Sequence, residues 1–355
     1  MPQNTAPVTT GKSSAARGWF RAARELVPGL GVVLVVTIAA MVAAAPFGSL
    51  SPLMLAIITG AILTNLVRLP DSLSPGIAFS ATKLLRVGIA MLGLQLLLGD
   101  ILGLGWQILA AVVLIVAGGV AGTMAIGAML GLGWTQRLLI ACGFSICGAA
   151  AVAAVDGVTD ADEEEVFTAV ALVVIFGTLM IPLVPALSAA FGLSEADAGV
   201  WAGGAIHEVA QVVAAGGALG ETALGIAVMV KLARVLMLAP LIIGIGLYLR
   251  RQGGGGRNRS RPPLVPFFVL AFLACVTLRS TGMVPDTAIA VGAQIQVSLL
   301  TAAMFALGTG VRVATLQQVG PRPFLLATAS TVLVAGLAIV GVLVSDIEIA
   351  TSPSS

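Results

Sequence analysis

The sequence predicts an all-α polytopic membrane protein with an inverted-repeat transporter fold, and three observations predict it. Of the 355 residues, 58% are hydrophobic and only 10% charged, with a mean hydropathy of +1.08, a balance unlike that of a soluble domain. The apolar residues gather into runs of about 20, the length that spans a hydrocarbon core. A short stretch also occurs twice, as ICGAAAVAA from Ile146 and IHEVAQVVA from Ile206, each followed by an apolar run containing a proline, Pro182 and Pro240. Paired interrupted segments mark a site near the bilayer midplane, where unwound backbone lines a cavity.

Roughly eleven segments follow in order, each near the spanning length: residues 27–46, 51–67, 79–98, 104–131, 136–155, 163–189, 196–218, 221–249, 264–280, 287–310 and 323–345. Residues 1–26 are polar, carry Lys12, Arg17, Arg21 and Arg24, and read as a cytoplasmic tail. The extra helix at 27–46 reads as uncleaved, although Ala43-Ala44-Ala45-Pro46 also suits a signal-peptidase site. A first repeat is expected over 51–190 and a second over 191–345, with a linker at 250–263 and a tail at 346–355. The linker, RRQGGGGRNRSRPP, joins a flexible glycine run to five arginines. With Arg68, Lys83, Arg86 and Arg137 it places the N-terminus in the cytoplasm and the C-terminus, with Asp346 and Glu348, outside.

A second internal match sets the topology. Pro52 to Pro70 resembles Pro266 to Pro285, and Leu92-Gly93 with Gly105 recurs at equal spacing as Leu307-Gly308 with Gly320. If every segment crosses fully, the matched outer helices run antiparallel while the interrupted pair runs parallel, which no single symmetry operation produces. If the interrupted segments are hairpins entering from opposite faces, every matched pair is inverted. Parity therefore predicts re-entrant hairpins and a cytoplasmic acidic loop, Asp156 to Glu165, against the rival of broken full crossings. About 9 to 11 membrane segments result. Within that loop, Asp160, Asp162, Glu163, Glu164 and Glu165 suit a helix N-terminus.

The net charge of +2 gives no basic stripe for nucleic acid. Cys142, Cys147 and Cys275 lie in apolar segments without metal-ligand spacing. Lys231 and Arg234 are three residues apart on one helical face, mid-way along an apolar run. A cation at the bilayer centre costs ~3 kcal/mol on insertion scales, so such residues face the protein interior. Two readings stand: the Arg fork and the compact Lys charge grip an oxyanion, or both cations pair with Glu208 or Glu221. His207, the only histidine, sits beside Glu208 with Gln211 one turn on. That couple either moves protons, since an ordinary imidazole titrates near pH 6.5, or orients the hairpin through hydrogen bonds. A zinc-protease motif would need a second histidine where Gln211 stands, and no nucleophile and base pair has credible spacing, so no metal, cofactor or enzyme activity is expected. Ser145 and Cys147 either add weak donors to the site or pack. Lys83 and Arg86 read as snorkelling cations, and Asp100 as a solvated helix end.

Together SATKLLRVGIAMLGLQL from Ser80, ACGFSICGAAAVAA from Ala141, DADEEE from Asp160, WAGGAIHEVAQVVAAG from Trp201 and VKLARVLMLAP from Val230 resemble the YeiH family of bacterial inner-membrane proteins, over nearly the whole chain after Ala45. The resemblance implies a family classed as sulfate exporters and distantly similar to the bile-acid symporters and sodium/proton antiporters, with inverted repeats, crossing discontinuous helices and often an elevator motion. Its HEVAQ-type and VK..R motifs fall here on His207, Glu208, Gln211, Lys231 and Arg234. The expected function is a secondary active transporter exporting sulfate or a related sulfur-containing anion in exchange for a proton or ion. Lys231 and Arg234 would bind the anion, with His207 and Glu208 coupling protons; the family analogy adds a homodimer. The alternatives are a cation/proton antiporter using Glu208 and His207, and a non-transporting scaffold or sensor.

Overall fold

The computed structural model describes residues 12–46, 51–159, 161–251, 267–310 and 320–351. Sixteen α-helices are described: α1 (Lys12–Ala44), α2 (Pro52–Leu66), α3 (Ser74–Phe79), α4 (Leu85–Leu92), α5 (Leu98–Gly103), α6 (Trp106–Met129), α7 (Trp134–Ser145), α8 (Ala149–Thr159), α9 (Glu163–Phe191), α10 (Glu195–Ala205), α11 (Val209–Leu219), α12 (Glu221–Leu236), α13 (Leu238–Arg251), α14 (Phe267–Ser280), α15 (Asp286–Gly310) and α16 (Pro321–Thr351). Among the described residues, seven helical runs are long and apolar enough to cross a membrane: Arg24–Ala44, Asp71–Gln95, Trp106–Met129, Glu163–Phe191, Glu221–Arg251, Asp286–Gly310 and Pro321–Val344. The shorter α2 and α14 are also apolar. The chain is an all-α polytopic membrane protein.

Local chemistry explains the boundaries. The Asp71–Gln95 run begins before the expected residue 79 and is irregular: a π-turn at Ser80–Leu84 joins α3 to α4, beside Ser80 and Thr82 hydroxyls that donate back to the Gly76 and Ala78 carbonyls. Such back-bonding loosens the helical ladder. Glu163, Glu164 and Glu165 form the first turn of α9, as expected of an acidic run at a helix N-terminus; Asp160 lies outside the described residues. The other end of α9 stops at Gly192 (φ 67°), where Leu193 N–H reaches back to Ser188 O at 3.0 Å. Met237 separates α12 from α13, because Pro240 has no N–H to continue the bonding to Leu236 O. The 250–263 linker lies almost wholly outside the described residues.

Both interrupted segments fold back on themselves. The second, α10 and α11, begins at Glu195, whose Oε1 accepts from Thr222 N (2.9 Å) and Ala223 N (3.3 Å) just past the end of α11. Its start and finish therefore lie together at the N-terminus of α12. The first, α7 and α8, has Gly133 against the Glu165 carboxylate at the N-terminal end of α9, where α8 also finishes. The arms are 11 or 12 residues long, about 17 Å each, half of a ~30 Å hydrocarbon core. The first hairpin rises from the N-terminal end of α9 and the second from beyond its C-terminal end, so their tips approach from opposite directions.

Two groups of helices result. α6 packs on α16, and together with α9 and α12 they enclose both hairpins; α1, α2, α3, α4, α14 and α15 form a second group. In that group α2 crosses α15 closely, Gly308 abutting Ile57 O and Gly60 abutting Phe305 O. The guanidinium of the half-buried Arg86 lies against Gly157 of α8, across the seam between the groups. Asp100 is exposed on α5, as expected.

Candidate functional site

The hairpin tips meet in the protein interior, and Arg234 ties them together. α7 ends at Ser145 and α10 at Ala205, each leaving terminal carbonyls without intrahelical partners. The fully buried Arg234 takes them: Nε donates to Ser145 O (3.1 Å), Nη2 to Phe144 O (3.0 Å), and Nη1 to Gly203 O (2.9 Å), Gly204 O (2.7 Å) and Ile206 O (3.1 Å). A cation at two helix C-termini also meets their partial negative charge. Lys231, equally buried one turn earlier, donates to Ile206 O at 2.8 Å. The Arg234 fork, expected to grip an anion, is hydrogen-bonded to these backbone oxygens.

Glu208 lies at the opposite helix ends. Its Oε1 accepts from Ala149 N at the start of α8 (3.1 Å), and its side chain caps α11 by accepting from Gln211 N. Gln211 Oε1 returns a bond from Glu208 N at 3.1 Å and completes a capping box. The carboxylate therefore bridges the N-termini of both hairpins' second arms, favourable ground for negative charge. Gly148 makes room for it: φ there is 78°, and a Cβ would stand 2.3 Å from Glu208 Cγ.

His207 is buried with both ring nitrogens engaged. Nδ1 lies 3.2 Å from Phe144 O on the first hairpin and Nε2 lies 3.2 Å from Thr331 Oγ1 on α16, with the Phe144 ring packed against the imidazole at 4.5 Å. A carbonyl only accepts, so Nδ1 carries a proton. Thr331 Oγ1 is also within 2.9 Å of Ala327 O. One hydroxyl proton cannot serve both, so Thr331 donates either to a neutral His207 or to Ala327 O while an imidazolium donates to it.

Beside the tips is a cavity of about 310 Å³. The hairpins contribute Cys147, Ala150, Glu208 and Val213; the second helix group contributes Leu92, Gln95, Gln296, Leu300 and Met304. Glu208 is half-buried and reaches this space, and Cys147 lines it too. Lys231, Arg234 and His207 sit behind the tips, while Gln211 packs against Gly177 of α9. Ser145 packs its hydroxyl against Gly119 of α6, without a hydrogen-bond partner among the described residues. The sequence reading missed Gln95 and Gln296, whose amides hydrogen-bond each other at the cavity wall; their signal was an amide within an apolar run.

Comparison with known proteins agrees with these motifs. The family model described as conserved hypothetical protein 698 matches residues 28–327. A UPF0324 membrane protein of Corynebacterium glutamicum is 56% identical over 91% of this chain and 94% of its own length. Another from Agrobacterium fabrum is 36% identical over 87% and 90%, and the UPF0324 membrane protein TauZ of Paracoccus denitrificans is 34% identical over 92% and 96%. No solved structure matches. From its motifs and from these matches alike, the chain belongs to the YeiH family, the UPF0324 membrane proteins.

Proposed function

We propose that the protein is a secondary active transporter of the bacterial inner membrane that exports a small oxyanion, sulfate or a related sulfur-containing anion, in exchange for a proton or ion. The observation that carries this reading is the meeting of two opposed hairpin tips, with Lys231, Arg234 and Glu208 at the junction, beside a cavity between two helix groups. Unwound backbone at membrane depth persists where it lines a cavity, and intramembrane charges mark substrate and ion pathways. In this reading Arg234 holds the tips, Lys231 supplies the positive charge behind the cavity, and Glu208 with His207 exchanges protons as the anion enters and leaves. The N-terminus is cytoplasmic and the C-terminus outside.

The test is sulfate flux in proteoliposomes. Lys231→Gln should slow it about ten- to a hundredfold, the worth of one charge-assisted hydrogen bond; an unchanged rate in that variant would remove the anion-site assignment. One observation favours the alternative of a cation/proton antiporter: Glu208 is the only charged side chain among the described residues lining the cavity. Sodium- or potassium-driven proton movement without any permeant oxyanion would establish that alternative.

A further inference from the structure

The cavity beside the hairpin tips has a chemistry that bare sulfate does not use. Its volume of about 310 Å³ would hold about ten waters at ~30 Å³ each, more room than one tetrahedral dianion fills. Its walls are mostly apolar: Pro52, Leu53, Val213, Leu300 and Met304 contribute hydrocarbon, and Ser51, Gln95, Gln296 and Glu208 supply the polar lining. A stripped sulfate would leave that apolar wall without a partner, and its second charge without compensation.

The charge at the junction fits a monoanion. Lys231 and Glu208 offset each other formally, leaving the charge of Arg234. The C-termini of α7 and α10, each carrying about half a negative charge, face Arg234, while the N-termini of α8 and α11, with about half a positive charge each, flank Glu208 on the cavity side. With a neutral His207 the sum is near one positive charge, held on Lys231 and Arg234 behind the tips, while the cavity side, where Glu208 stands between two helix N-termini, is near neutral. The Gln95 and Gln296 amides hydrogen-bond each other, and they carry donors that an oxyanion head can engage in place of that mutual bond.

We propose that the cavity binds a small amphiphilic monoanion, with its oxyanion head at the amide donors of Gln95 and Gln296, and a short aliphatic body against Val213, Leu300 and Met304. This rests on the transporter reading and narrows its substrate to organic sulfonates or carboxylates. The probes are methane-, propane- and pentanesulfonate beside inorganic sulfate, assayed with the full-length protein by thermal stabilisation and by counterflow in proteoliposomes. Affinity should rise about two- to fourfold per methylene, as expected for burial of hydrocarbon, and sulfate should bind more weakly than propanesulfonate. Ala214→Leu, which adds bulk to the cavity wall, should flatten the dependence on chain length. Sulfate bound and moved as well as any sulfonate, with no dependence on chain length, would overturn this inference and leave the oxyanion transporter standing. Absence of binding and flux for every anion would remove both.

Discussion

Arg234 and Lys231 share one helical face, yet the geometry divides their work. Arg234 reaches five carbonyl oxygens of two hairpin tips, so its loss leaves several buried acceptors unsatisfied. We expect Arg234→Gln to lower stability by about 3–5 kcal/mol, the range for stripping the partner from a buried charged network, read as a lower melting temperature of the purified protein. An unchanged melting temperature would refute the clamp. The sequence disclosed that a cation at this depth needs a partner, but not which one. Terminal carbonyls of a helix have no side-chain signature, and Phe144 lies in a separate apolar segment. The same limit hid the partners of His207, while Glu208 and Gln211, three residues apart, form a capping box legible in principle but led by a residue less usual there than Ser or Thr.

At the scale of elements, parity read from the sequence pointed to hairpins, and the contacts of Glu195 with Thr222 and Ala223 show the second segment doubling back. The matched segments also share local geometry. The offset that carries Gly93 to Gly308 also carries Ile57 to Phe272: Gly93 abuts Phe272 O as Gly308 abuts Ile57 O, and Gly105 and Gly320 both take positive φ. What composition could not supply was the π-turn at Ser80–Leu84 or the break at Met237, since both arise from competition for backbone bonds rather than from apolar periodicity. The hairpins make a sidedness prediction. Glu164 is exposed in the first turn of α9 and Ala196 in the first turn of α10, just beyond the other end of α9, a helix of 29 residues and about 43 Å. In intact cells and inverted vesicles, a cysteine at Glu164 should react with a membrane-impermeant thiol reagent only from the cytoplasm, and one at Ala196 only from outside. Labelling of both from one face would contradict opposed entry.

For the whole molecule the decisive feature is the seam between the two helix groups, because the cavity lies in it and the continuous chain crosses it at few places. Within the hairpin group, glycines let helices approach backbone to backbone, as Gly199 and Gly203 do on α12. Across the seam the contacts are side chains: Thr178 of α9 beside Met54 of α2 at 3.9 Å, Arg86 against Gly157, and Phe167 against Gly310. Close-packed backbones resist sliding, whereas longer side chains can exchange partners. On the proposed transporter function, alternating access should move the hairpin group as a body against the other group, carrying the cavity's Glu208 side past Gln95 and Gln296. Cysteines at Met54 and Thr178, bridged by a short thiol-specific reagent in a Cys275→Ser background, should abolish flux while ligand stabilisation persists, and cleavage of the bridge should restore transport. Full flux with the bridge demonstrably formed would mean that this seam does not move, and that access opens within the hairpin group instead.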